Sequence, residues 1–298
     1  MEEKRQPMPP QHPAHVLAKM EKSRQQKEKL KRLLPAVALI VLIILIVVTA
    51  IPESDDWKTN ILRSYKIPRD GGGSYTVDPA EYPALGSGYQ RQQISSVTFM
   101  DTLSGAPADA WDVSQAGNGS VMAWVEPDGD LYRLMIAGEG GISAGASCRD
   151  LFSGYENVAW FSFGGNFHTD AVQDMSGMFY ECKSLTSLEL GSFDTAAVQD
   201  MSSMFAWCES LTSLDLRSFD TAAVLNMRDM FTLCSSLTSL DLSSFDTAAV
   251  QNMRDMFTLC SSLTSLVLSE KFTTTNTNTV DMFFSCPARE KYQHLLNN

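Results

Sequence analysis

The sequence predicts an α/β solenoid, and three observations predict it. Between Leu185 and Ser262 a 26-residue phrase occurs three times, as LTSLELGSFDTAAVQDMSSMFAWCES, LTSLDLRSFDTAAVLNMRDMFTLCSS and LTSLDLSSFDTAAVQNMRDMFTLCSS. The last two copies agree at 24 of 26 positions. Within each copy the leucines fall as L-x-x-L-x-L, the alternation of a strand, while Val250, Met253, Met256, Phe257 and Cys260 follow at helical offsets. A fixed period of this length marks one structural unit stacked on its neighbours.

The ends of the array depart from the consensus, as capping copies do. Upstream, Val158 to Ser184 keeps the pattern with Val158, Phe161 and Phe163 in the leucine positions, and CRDLF at Cys148 to Phe152 matches MRDMF at Met227 to Phe231. Downstream, Leu263 to Ala288 keeps the leucines and ends on Met282, Phe283 and Cys286, but carries the Thr/Asn run Thr273 to Thr279 in its middle. The array therefore has about five units, above the roughly three needed to bury a continuous core. In each unit Leu240 and Leu242 point inward and Ser239 and Asp241 outward, so one strand per unit stacks into a parallel sheet. After Phe245, Asp246 or Thr247 reads as the N-cap of a short helix whose Val/Met/Phe stripe covers that sheet. Strand plus short helix in under about 30 residues is a leucine-rich-repeat-like arrangement. A pure β-helix is the rival, since its turns have a similar length.

The repeated phrase, FDT followed by V, M, MF and C at fixed intervals and then SLTSLDLS, resembles the BspA-like leucine-rich-repeat surface proteins of bacteria. The resemblance extends over roughly Ser95 to Ala288, because SVTFMDTLSGAPADAWDVS, GSVMAWV and LYRLMIAGEGGISA are similar to the segment that precedes such arrays. It implies an envelope-exposed scaffold, often linked to adhesion, without a shared catalytic apparatus or a particular ligand.

Outside the array, Leu33 to Ile51 is a 19-residue run without a charge. At 1.5 Å per residue it reaches about 28 Å, close to the roughly 30 Å hydrocarbon thickness of a bilayer. It is expected to be a transmembrane helix. A cleaved signal peptide competes, but the preceding 32 residues are long for such a leader. Residues 1–32 carry nine Lys/Arg against four Glu, and the remainder 14 against 31 Asp/Glu, so the basic tail is expected in the cytoplasm and the acidic repeats outside a bacterial cell membrane crossed once. The expected organisation is a basic cytoplasmic tail (1–32), a transmembrane helix (33–51), a flexible extracytoplasmic linker (52–89), a β-rich N-terminal cap (90–147) and the repeat array with its C-terminal cap (148–298). The linker expectation rests on Asp70-Gly71-Gly72-Gly73-Ser74 and Gly86-Ser87-Gly88, and the cap on strands at Ile94 to Met100, Val121 to Glu126 and Leu131 to Ala137. Trp111 and Trp124 are expected in the core of that cap.

Little here points to catalysis. Cys182, Cys208, Cys234, Cys260 and Cys286 recur at the repeat period and so form one column, with Cys148 at a methionine position. Such a column has the spacing for disulfides or a soft metal, but its apolar neighbourhood favours burial as small hydrophobes. No C-x-x-C pair supports zinc, and no nucleophile elbow, Walker loop or H-E-x-x-H is present. His168 replaces the aspartate of the FDT phrase and is expected at a turn; Asp194, Asp220 and Asp246 read as helix caps in preference to a cation ladder. No enzyme activity, cofactor or metal is expected. Nucleic acid is not expected as a partner of the acidic part, since phosphate affinity comes from Lys and Arg.

What remains is the exposed strand face. Its columns are Ser187, Ser213, Ser239 and Ser265, beside Glu189, Asp215, Asp241 and Val267. The polar residues of these columns are the candidate binding residues, for an extracellular protein or a polysaccharide. The alternative function is an envelope scaffold or signalling protein whose basic tail is the output.

Overall fold

The computed structural model describes residues 58–68, 75 and 77–296. The chain divides into Met1–Ser54 and Asp55–Asn298, and every described residue belongs to the second unit. A five-stranded sheet opens it, in the order β2-β3-β4-β1-β6, from β1 (Ile94–Met100), β2 (Trp111–Asp112), β3 (Met122–Asp128), β4 (Leu131–Ala137) and β6 (Trp160–Ser162). The β3–β4 hairpin turns at Gly129-Asp130, with Gly129 at φ 64° supplying the left-handed residue. β1 lies parallel to both β4 and β6, so the first repeat adds its strand to the sheet that precedes the array. Two smaller parallel pairs follow: β5 (Ile142–Ser143) with β7 (Phe167–His168), and β8 (Ser239–Leu242) with β9 (Ser265–Leu268).

The expected α/β solenoid does not form. Among the described residues the only α-helical turn is Arg289–Tyr292, and the strands make three separate sheets in place of one continuous stack. The segment read as a helix is a run of turns. In the copy from Met227 to Cys234, the N–H groups of Met230, Thr232 and Cys234 close i→i+3 bonds to Met227, Asp229 and Phe231 at 3.1–3.3 Å. The intervening N–H groups, those of Met227, Asp229, Phe231 and Leu233, donate to Asn252, Arg254, Met256 and Thr258 of the next copy at 2.8–2.9 Å. Alternation of this kind needs a left-handed backbone at Asp229 (φ 56°) and Leu233 (φ 61°), and it recurs at Asp255 (φ 58°) and Leu259 (φ 61°). A helix keeps its backbone bonds to itself and cannot lend every second N–H to a neighbour. Apolar side chains three apart mimic a helical stripe because successive i→i+3 turns also place them on one side.

The copies nevertheless sit in register. Bridges link Ser147 to Asp174, then Asp174, Asp200, Asn226, Asn252 and Asn278 in sequence. The column of Phe179, Phe205, Phe231, Phe257 and Phe283 stacks with centroids 5.8, 5.7, 5.6 and 5.1 Å apart, and Tyr292 continues it at 6.3 Å. Buried threonines clamp adjacent copies from the other side. Thr221 Oγ1 donates to the Asp246 carbonyl (2.9 Å) and accepts from the Asp246 N–H (2.8 Å), as Thr195 does with Asp220.

The stretch 52–89 is not a spacer where it is described. Leu62, Ile67, Ala84 and Leu85 are buried, the Leu62 N–H donates to Ser143 (2.9 Å) and that of Arg63 to Val113 (2.8 Å). Behind it, fully buried Arg91 donates through Nη1 to the carbonyls of Asp150 and Ser153, both at 2.7 Å, and lies over the rings of Tyr82 and Tyr155. This guanidinium ties residue 91 to the carbonyls of the first turn segment. Trp124 is buried, whereas Trp111 is half-buried with Nε1 bonded to the Leu85 carbonyl at 3.2 Å.

The expected single-pass membrane arrangement is corrected as well. Residues 1–32 and 33–51 lie outside the described residues, and among the described residues no helix is long and apolar enough to cross a membrane.

Thr221→Val removes the clamp and leaves the Asp246 N–H and C=O without their partner. We expect a loss of about 1–3 kcal/mol, read as a lower urea midpoint at unchanged slope. Gly154→Ala is expected to cost more than the ~1–2 kcal/mol that a left-handed backbone alone imposes. Gly154 has φ 75°, and a Cβ there would lie 2.3 Å from the Pro79 carbonyl carbon. Thermal unfolding of the variant checks this packing of residues 79–80 on the first turn segment.

Candidate functional site

The candidate residues of the strand face come together. Ser239 pairs in register with Ser265 and Asp241 with Val267 across β8 and β9, and a bridge joins Asp215 to Asp241. Ser187, Glu189, Ser213, Asp215, Ser239, Asp241 and Ser265 are all exposed, while Leu188, Leu214, Leu240 and Leu266 between them are buried. This alternation follows from the strand period and from the leucines having one core to fill. The side chains border an open groove of about 630 Å³ that spans the four copies from Ser187 to Val267.

The electrostatics of the groove are set within it. Arg217 Nη2 and Nε donate to the Asp215 carboxylate at 2.6 and 3.0 Å, and with the Arg217 backbone N–H they draw the Asp215 pKa down to about 2. Hydrogen bonds from Ser243 lower that of Asp241. Both carboxylates are therefore charged acceptors at neutral pH. Sequence reasoning left Arg217 out because the other copies carry Gly191 and Ser243 at that position.

The other candidates serve the fold. The six cysteines are free and buried. Cys182, Cys208, Cys234 and Cys260 donate through Sγ to the carbonyls of Phe152, Phe179, Phe205 and Phe231 at 3.3, 3.2, 3.1 and 3.0 Å. Each thiol thus ties one copy to the one before it. Burial pushes these thiols up, to about 12 for Cys208. Asp194, Asp220 and Asp246 accept from the N–H two residues on, at 3.0–3.1 Å, and so cap turns in place of the expected helices. His168 lies in β7, not at a turn, with its pKa lowered by burial. Among the described residues no group of three or more His, Cys, Asp or Glu is arranged to hold a metal.

Residues 146–270 match the family described as Mycoplasma protein of unknown function, DUF285. The chain is similar to that family over the stacked copies, a span of less than half its length. No curated protein and no solved structure matches the chain.

The thiol column makes a direct expectation. In the native state at pH 8 a maleimide or aromatic disulfide reagent should label the cysteines slowly, and unfolding should release all six. Because their folded pKa values are raised, the unfolded thiols ionise first. Stability is whole below the unfolded value of about 8.5 and falls as pH rises above it. Urea midpoints at pH 7, 9 and 10 read this decline, which Cys208→Ala and Cys234→Ala should reduce.

Proposed function

We propose that the chain is a non-catalytic recognition module whose ligand lies along the strand face, across the columns headed by Ser187 and Glu189. The observation that carries this reading is the groove itself: exposed hydroxyls over four copies and carboxylates over three of them, on a floor of buried leucines. Stacked repeats offer such surfaces to partners. The resemblance of the repeated phrase to BspA-like surface repeat proteins supports recognition or adhesion as the role. The ligand is an extracellular protein or a polysaccharide, and nucleic acid is disfavoured by the acidic balance of the repeats.

A charge reversal on the columns tests this. On arrays of immobilised glycans and extracellular-matrix proteins, the full chain is expected to bind a restricted set of spots. The triple variant Glu189→Lys, Asp215→Lys, Asp241→Lys should lose those spots while retaining its thermal midpoint to within a few degrees, since all three side chains are exposed. Equal binding by the two proteins removes the strand face from consideration.

A further inference from the structure

The strand face does not stop at the first repeat. β1 pairs with β6 so that Ser96 faces Trp160 and Val97 faces Phe161. Val97 is 0% and Phe161 8% exposed, which places that row in the core and puts Ser96 and Trp160 on the opposite side. Across β1, Ser96 also faces exposed Arg133, whose guanidinium is held by Glu126 at 3.0 Å. In the repeat register Trp160 stands where later copies carry Ser187, Ser213, Ser239 and Ser265. One row therefore runs from Arg133 through Ser96 to Trp160, and the register of the repeats continues it into the serine column.

Two features of this row call for a ligand. Trp160 is 47% exposed, a large aromatic left in water at a position that every full downstream copy fills with serine. Beside it, Ser96 is only 2% exposed although it lies on the outward face, and its hydroxyl has no hydrogen-bond partner. A buried hydroxyl without a partner carries a desolvation cost that a bound polar group would relieve.

We propose that the face binds an extended linear polysaccharide running from the serine column onto the opening sheet. The Trp160 ring stacks on one sugar, and once the side chains that cover it move aside the Ser96 hydroxyl bonds to that sugar's edge. The proposal rests on the recognition reading above and names its ligand class. A pyranose presents C–H groups on its faces and hydroxyls around its rim, the complement of an indole face bordered by serine and carboxylate. Neighbouring strands are spaced at ~4.8 Å, a step comparable to the advance of one sugar along an extended chain. Protein interfaces concentrate aromatic and aliphatic anchors at their centre. Here the groove offers hydroxyls and carboxylates, with Val267 alone as an exposed apolar side chain at its far end. The ion pair of Arg217 with Asp215 also blunts the acidity that a basic peptide would need.

The test titrates the full chain with cellohexaose, chitohexaose and laminarihexaose, and separately with octalysine as a basic peptide probe, by calorimetry and indole fluorescence. At least one oligosaccharide is expected to bind and to shift the fluorescence. Trp160→Ala should weaken that binding roughly tenfold or more, Trp160→Phe should restore most of it, and Ser96→Ala should weaken it without lowering the thermal midpoint. Oligosaccharide binding that Trp160→Ala leaves unchanged overturns the stacking role. Failure of all the oligosaccharides to bind overturns the polysaccharide class. If octalysine then binds and the charge-reversed triple variant does not bind it, the recognition reading survives while this proposal fails.

Discussion

Every second N–H of the turn segment is given away to the next copy, and the rest of the stack follows from that donation. The bonds from Met227, Asp229, Phe231 and Leu233 fix the register between copies, and the same pattern joins each pair from Cys148 to Phe284. Once the register is set, identical side chains fall into columns. Phenylalanines then stack within 6 Å of one another, thiols reach the preceding phenylalanine carbonyls, and threonines clamp the following aspartates. The cost is a left-handed backbone at residues such as Leu233 and Leu259, which carry a Cβ. A strained residue of this kind costs on the order of 1–3 kcal/mol and persists only where its surroundings over-determine it.

A stack of this kind needs an end, and the chain builds one from the expected cap together with residues 58–89, whose composition suggests a spacer. Arg91 satisfies the carbonyls of Asp150 and Ser153 at the first turn segment, with Tyr82 and Tyr155 against its guanidinium. Buried charge is expensive unless it is bonded, and here the carbonyls of Asp150, Ser153 and Tyr65 supply the bonds. Gly154 lets residues 79–80 approach that segment closely. The opening sheet completes the closure by taking β6 as its edge strand, which also carries the outward face of the repeats onto the sheet.

The polar face is a by-product of the same packing. With Leu188, Leu214, Leu240 and Leu266 committed to the core, the alternate residues have no choice but to point outward. What they are is unconstrained by the core, and the repeat in register sets them in columns of serine and carboxylate. The low pKa of Asp215, held by Arg217, keeps charge on this face to far below neutral pH.

The sequence by itself determined the period, the ends of the array, the inward leucines and the outward residues from Ser187 to Ser265, because period-two alternation and exact repetition are local signals. It also marked Ile94–Met100 and Leu131–Ala137 as strands. The expected helix in each copy gives way because apolar residues three apart serve i→i+3 turns as well as they serve a helix; Gly177, at the column that Asp229 and Asp255 occupy, and Gly154, at that of Leu233 and Leu259, are the local hints of a left-handed backbone. Only the tertiary structure decided between the two. A turn ladder is stable solely when a neighbouring copy accepts its N–H groups, and that acceptance is a contact between residues 25 apart, as from Met227 to Asn252. The packing of residues 58–89, the burial of Arg91 and the alignment of Ser96 with Trp160 were decided there for the same reason: each depends on segments distant in the chain meeting in space.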